Sequence, residues 1–211
     1  MRIASEGGRL LLPLSSVFLI VVLADWLERL PALHVLAAGI FLLILLLFFF
    51  FRDPERKIPA GKKLVLAPCD GKVIWVSEAS GGAEQGRVAI FMSVFNVHVN
   101  RNPVSGVVQE IQRRRGSFRH AATPQAVHMN TSVTVRASTD FGEVTWVQVA
   151  GALARRISCR LKEGQSVEAG ERFGLVYLGS RMEVLTPAAM RIRVALGQRV
   201  RAGSTIIGEV S

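Results

Sequence analysis

Two long apolar runs open the chain, and the rest of it is written in short alternating segments. Residues 10–24 (LLLPLSSVFLIVVLA) and 32–51 (ALHVLAAGIFLLILLLFFFF) hold most of the apolar surplus. The second is about 20 residues long, enough for a helix to cross a hydrocarbon core of roughly 30 Å. The first reaches that length only with Asp25, Trp26 and Leu27 at the interface, so it reads as a second span, with an interfacial helix as the alternative. The connector DWLERLP, with a boundary tryptophan and a breaking proline, suits a transmembrane helical hairpin over residues 1–51. A signal peptide is disfavoured, because no small-residue cleavage site precedes a mature soluble region and the second run would remain.

Residues 52–63 (RDPERKIPAGKK) are polar, with two prolines and a glycine, and are expected to form a basic linker. From about Leu64 onward the text is β-rich runs broken by glycines, among them LVLAPCDGKVIWV, RVAIFMSVFNVHV, SVTVRAS, EVTWVQVAG and MRIRVAL. Eight to ten strands with little helix predict a mainly β domain over 64–211, a sandwich or barrel. An internal repeat sharpens this: GQSVEAG from Gly164 and GQRVRAG from Gly197 share the pattern GQxVxAG, 33 residues apart. Such turns resemble those of biotinyl and lipoyl carrier domains, flattened β-sandwiches made of two similar halves. The repeat informs the fold and says nothing by itself about chemistry.

Charge changes the picture next. The formal net charge is +10, and residues 1–51 balance to zero, so the whole excess belongs to residues 52–211. Arg52, Arg56, Lys57, Lys62 and Lys63 come directly after the second span while Arg2 and Arg9 precede the first, which places both ends in the cytoplasm and the β domain on the cytoplasmic side of a cell membrane. Nucleic acid is disfavoured as a partner: the cluster Arg113, Arg114, Arg115 and Arg119 lacks interleaved aromatics, and no helix-turn-helix or zinc pattern occurs. Arg113 to Arg115 are candidates to hold a lipid phosphate or to dock the domain on the leaflet, with a solvated charge face as the alternative. Cys69 and Cys159 show no CxxC spacing, and fit buried thiols in a reducing compartment.

The usual chemical signatures are missing. There is no HxxxH, HExxH or paired-cysteine motif, so no metal is expected, and no G-x-S-x-G elbow, Walker loop or dinucleotide fingerprint. Of four histidines, His34 falls in a span and His120 and His128 flank the turn-like HAATPQAVH. His98 ends an apolar strand just before a turn, a place that delivers a side chain to a pocket, although a satisfied core histidine is the plain alternative. The step Leu178-Gly179-Ser180 lies between two β runs; alone, it is a turn.

Four stretches taken together, FFRDPERKIP, LVLAPCDGKV, FMSVFNVHVNRNPVSG and VAGALARRISCRLKEGQSVEAGERFGLVYLGSRMEVLTP, resemble the short membrane-anchored form of the phosphatidylserine decarboxylase proenzymes, whose archaeal relatives act on archaetidylserine. The resemblance covers nearly the whole chain. It implies self-cleavage between Gly179 and Ser180 into a large chain (1–179) and a small chain (180–211) that stay together as a heterodimer. Ser180 would become a covalent pyruvoyl group, the electron sink for decarboxylating a phosphatidylserine headgroup to the ethanolamine lipid, with no external cofactor. It also implies a base and a carboxylate near the serine, at positions matching His98 and Asp70, with His98 as general base and Asp70 orienting it.

The sequence departs from the family pattern at three points. Arg101 stands where longer forms have a second histidine, Arg181 comes after the serine in place of threonine, and Cys69 replaces a small residue before Asp70. A non-enzymatic membrane-tethered carrier or adaptor is the alternative, but the tip LGSRMEV offers no lysine for a carried group. A dead homologue is disfavoured because Ser180, His98 and Asp70 are all present.

Overall fold

The computed structural model describes residues 2–61, 63–79, 85–123, 125–152 and 156–210. Lys62 of the expected linker and residues 153–155 of the VAGALARR stretch lie outside them. The chain divides into two units, Met1–Glu55 and Arg56–Ser211, so the boundary falls inside the stretch expected to be a linker.

In the first unit, the short strands β1 (Arg2–Ile3) and β2 (Arg52–Asp53) pair at the base of helices α1 (Ser5–Glu28) and α2 (Pro31–Phe50). Arg29 ends α1 in the left-handed region and Pro31 starts α2, where its missing N–H costs nothing. Phe18 and Phe41 meet between the helices with ring centroids 5.9 Å apart. Both helices are long and apolar enough to cross a membrane.

The second unit begins with β3 (Leu64–Leu66), β4 (Gly71–Ser77), β5 (Gly86–Met92), β6 (Val99–Arg101) and β7 (Gly106–Arg114), then a short helix α3 (Ala126–Met129). Next come strands β8 (Ser132–Thr139), β9 (Gly142–Val149), β10 (Ile157–Cys159), β11 (Ser166–Val167) and β12 (Arg172–Val176). The last are β13 (Ser180–Thr186), β14 (Met190–Ile192), β15 (Arg199–Val200) and β16 (Ile206–Val210). An antiparallel eight-stranded sheet has the order β11-β7-β8-β9-β13-β5-β4-β15, and two three-stranded sheets have the orders β10-β12-β6 and β14-β16-β3. The mainly β sandwich expected from the sequence is present. It holds more strands than the pattern predicts because several are only two or three residues long, too short for alternation to register.

One face of the large sheet makes the core. Val88, Ile90 and Met92 of β5, Met182 and Val184 of β13, and Trp146 of β9 pack against Val65, Phe173, Ile192 and Ile207 from the small sheets. Trp146 and Phe173 meet edge to face at 6.0 Å, an arrangement the ring quadrupoles favour.

The GQxVxAG repeat marks a two-fold correspondence running through this unit. The Gln165 side chain accepts the Lys162 N–H, and Gln198 accepts that of Ala195 in the same way, both at 3.0 Å. The Gly170 N–H donates to Asn102 O and the Gly203 N–H to Ala67 O. Strand β12 pairs with β6, and β16 with β3, each through a register shift at the matching place. Two halves of similar backbone therefore close on one core, the architecture that the carrier-like turns predict.

Candidate active site

Ser180 is the first residue of β13, which lies inside the large sheet between β9 and β5. It stands opposite Met92, so strand alternation turns its side chain to the core face, where it is fully buried. Its hydroxyl donates to Met92 Sδ at 3.9 Å, and the Asn100 amide reaches the same sulfur at 3.8 Å. A thioether is a weak acceptor, so the Ser180 hydroxyl is held in place without being committed to a strong partner. Gln148 Nε2 donates to Asn100 Oδ1 at 2.8 Å, and Gln148 Oε1 has no hydrogen-bond partner among the described residues. Met92, Asn100, Gln148 and Ser180 thus form a buried polar cluster with unused hydrogen-bonding capacity.

The peptide before Ser180 is unusual. Gly179 has φ +68°, a left-handed conformation open to glycine at little cost. Its carbonyl presses against Gly151: a Cβ built on Gly151 would stand 1.7 Å from Gly179 O. Glycine at 151 is required for that approach.

His98 lies in the β5–β6 connection and is fully buried. Its Nδ1 is 2.9 Å from Asn96 O. A carbonyl can only accept, so in the neutral ring Nδ1 carries the hydrogen and Nε2 keeps the lone pair, the basic position. The loop that holds this carbonyl is itself tied, with Asn96 Oδ1 accepting the Ser93 N–H at 2.9 Å and the Ser93 hydroxyl at 2.8 Å. Asn96 also lines a cavity of about 500 Å³ together with Lys72, Phe95 and Arg199.

Asp70 is placed differently from the arrangement the resemblance implies. Its Oδ2 pairs with Arg56 at 2.7 Å and its Oδ1 accepts the Ala202 N–H at 2.8 Å, so its hydrogen bonds do not go to His98. The orienting group on His98 Nδ1 is the Asn96 carbonyl. In the corresponding place of the other half, Ser105 Oγ accepts the Ala169 N–H at 2.9 Å. A serine hydroxyl therefore suffices for the structural bond, and the carboxylate at 70 supplies a charge beyond what the turn needs. Burial and the neighbouring Asp70 charge push the Cys69 thiol well above its ordinary pKa.

Arg101 does not stand in for a second histidine in any visible way. Its side chain is buried against the repeat turns, its Nη1 donating to Gly170 O at 2.9 Å and its Cδ lying against Gly203. Arg113 and Arg114, two of the candidate phosphate ligands, lie along β7 and donate to the backbone carbonyls of Cys159 and Val127. Among the described residues no group of three or more His, Cys, Asp or Glu could hold a metal.

Sequence reasoning missed Asn100, Gln148, Gly151 and Arg56. The first two had a visible signal: each is an amide residue next to a valine in a β run, at a buried position. Gly151 had none, since its role is a contact with a residue far along the chain.

The family model described as phosphatidylserine decarboxylase matches residues 43–208. The chain is 39% identical over 213 residues to the phosphatidylserine decarboxylase proenzyme of Chlorobaculum tepidum, covering 99% of this chain and 98% of that one. It is 40% identical to the proenzyme of that name from Geobacter metallireducens, over 98% of this chain and 95% of that one. A third, from Cupriavidus pinatubonensis, is 41% identical over 82% of each. A buried serine behind a left-handed glycine, carried on a fold of two matching halves, is thus found in a chain that belongs to the phosphatidylserine decarboxylase family.

Proposed function

We propose that this chain is a membrane-anchored proenzyme that cuts itself before Ser180 and then decarboxylates phosphatidylserine to phosphatidylethanolamine. The observation that carries this reading is the Gly179–Ser180 step, with its left-handed glycine, a carbonyl packed on Gly151 and a buried, weakly held hydroxyl. The carrier alternative gains nothing from the structure, because Ser180 is buried at the start of a strand where a carrier needs an exposed tip.

Processing can be written with the chain's own groups. His98 Nε2 takes the Ser180 hydroxyl proton, directly or through a water, and Oγ attacks the Gly179 carbonyl carbon. The peptide C–N bond breaks, leaving an ester to Oγ and a protonated amine at residue 180. Loss of the Cα proton then expels Gly179 as a carboxylate, and water replaces the nitrogen, which leaves as ammonia. Asp70 acts here as the carboxylate whose charge, shared with Arg56, biases the site electrostatically. The Asn96 carbonyl holds the His98 tautomer.

The residues fit the resulting pyruvoyl group: Asn100 shares the Met92 sulfur with the Ser180 hydroxyl and is bonded by Gln148, so these two amides are the donors its carbonyl oxygens would use. When present, that group supplies an electron-poor carbonyl that takes up the pair left by departing carbon dioxide. His98 is the group available to return a proton to the substrate carbon. The cavity beside Asn96, edged by Lys72 and Arg199, is the proposed approach for an anionic headgroup. The two apolar helices anchor the chain in a membrane, and the lysine and arginine balance puts the catalytic unit on the cytoplasmic side.

A denaturing gel of the purified protein tests this. Two chains, residues 1–179 and a blocked 180–211, are expected, and Ser180→Ala should remain whole. A single full-length band from the parent sequence would sink the proposal.

A further inference from the structure

The face of the large sheet opposite Ser180 carries a second set of buried charges that processing does not use. Strand alternation sends Arg181, Glu183 and, across the pair, Arg87 to that face. Arg181 and Glu183 side chains are only 3% and 2% exposed and lie 2.5 Å apart, and Arg87 reaches the same carboxylate at 2.8 Å. Two guanidinium groups thus share one carboxylate. Arg181 Nη1 also donates to Thr123 O at 3.2 Å, but the Nε atoms of both Arg87 and Arg181 are buried with no hydrogen-bond partner among the described residues. Burial holds the Arg181 guanidinium below its ordinary pKa, with Arg87 adding to the effect and Glu183 opposing it.

Against this cluster lie residues 117–123 and 125–130. They are pinned by Asn130, whose side chain bonds Arg119 N and O and Ala150 O, and by the stacking of His120 on Phe91 at 5.5 Å. The pinned residues leave a cavity of about 270 Å³ between Arg87, Arg181, Gln125, His128 and Trp75. Buried donors without acceptors, an excess of positive charge and a preformed cavity are the ingredients of an oxyanion site.

We infer that this cavity is a binding site for a phosphate group, separate from the Ser180 pocket and on the other face of the sheet. Arg87 and Arg181 supply the charged donors, Gln125 and His128 close the outer wall, and Trp75, which is half exposed, stands at the rim. The ligand is either free phosphate or the phosphate of a lipid headgroup. The inference does not depend on cleavage, since every group in the site is already in place in the uncut chain.

The test uses the full-length protein in neutral detergent, titrated with inorganic phosphate against chloride at matched ionic strength. Phosphate should raise the unfolding temperature by about 2 °C or more at saturation and change the Trp75 emission. Trp75→Phe should lose the emission change and keep the thermal one. Arg87→Gln and Gln125→Glu should lose both; Gln125 lies at the surface, so its substitution tests the site even if Arg87→Gln folds poorly. Ser180→Ala should respond like the parent, which separates this site from the processing proposal. A short-chain phosphatidic acid, added as monomer, provides the second arm: a response to it alone assigns a lipid phosphate, and a response to inorganic phosphate assigns the free anion. The inference is overturned if neither probe differs from chloride, or if Gln125→Glu responds like the parent.

Discussion

Gly151 and the carbonyl of Gly179 touch so closely that a single methyl group on residue 151 would stand 1.7 Å from the oxygen. In the proposed self-cleavage, the carbonyl under attack would thus be positioned by a glycine from a distant loop. Gly151→Ala should force that carbonyl away and slow self-cleavage by at least about tenfold, as expected when a reacting atom is misplaced by an ångström. A gel time course on freshly synthesised chain measures this, and cleavage at the parental rate would show that the contact does not position the bond.

Gly179→Ala puts a side chain into a left-handed backbone at a cost of roughly 1–2 kcal/mol. The strand can avoid that cost by rotating the peptide, which would take the carbonyl out of line with Oγ. The expected outcome is a folded, largely uncut protein whose melting temperature falls by a few degrees. Complete and rapid cleavage would count against a requirement for this backbone geometry.

Asp70→Ser copies the arrangement of Ser105 in the other half, keeping an acceptor for the Ala202 N–H while removing the charge beside Arg56. Its stability should fall by roughly 1–3 kcal/mol, because the Ala202 bond is kept while the largely buried Arg56 loses its partner. Its processing should fail. If the serine variant cuts itself normally, the carboxylate serves only the turn.

His98→Gln retains a donor toward Asn96 O but no basic nitrogen. The protein should fold, as judged by circular dichroism, and remain a single chain. Two chains on a gel would remove His98 from the base role.

Cys69 provides a pH signature. Its thiol is held well above the ordinary value of 9.0 by burial, with the Asp70 charge adding to it, so the folded state keeps this proton to higher pH than the unfolded state does. The associated stability is fully present below about pH 9 and is lost as pH rises toward the folded value. The urea midpoint of Cys69→Ala should therefore fall less steeply above pH 9 than that of the parent. Burial also raises the Cys159 thiol, so Cys159→Ser should flatten the fall in the same sense. Identical slopes in parent and Cys69→Ala would contradict the assignment.

Much of this is legible in the chain. Apolar runs of membrane length announce helices because a bilayer sets their length, and the GQxVxAG repeat announces matching turns because each glutamine closes its own loop locally. What stays hidden depends on contacts distant in sequence. The polar, proline-containing pattern of residues 52–63 predicts a free linker, yet Arg56 pairs with Asp70 and Ile58 packs on the repeat turns at Gly170 and Gly203. Asn100 and Gln148 stand next to each other only because β6 and β9 belong to facing sheets. Arg181 looks like an ordinary substitution after the serine, and strand alternation alone sends it to the opposite face.

The position of β13 bears on what severing the chain can accomplish. Residues 180–211 supply an interior strand of the large sheet, its edge strand β15, and two of the three strands of a small sheet. A cut before Ser180 would free one end of a ribbon woven through both layers, releasing no piece. Dilution could not part the fragments short of denaturation, so maturation would act as a one-way relabelling of a terminus within an unchanged architecture.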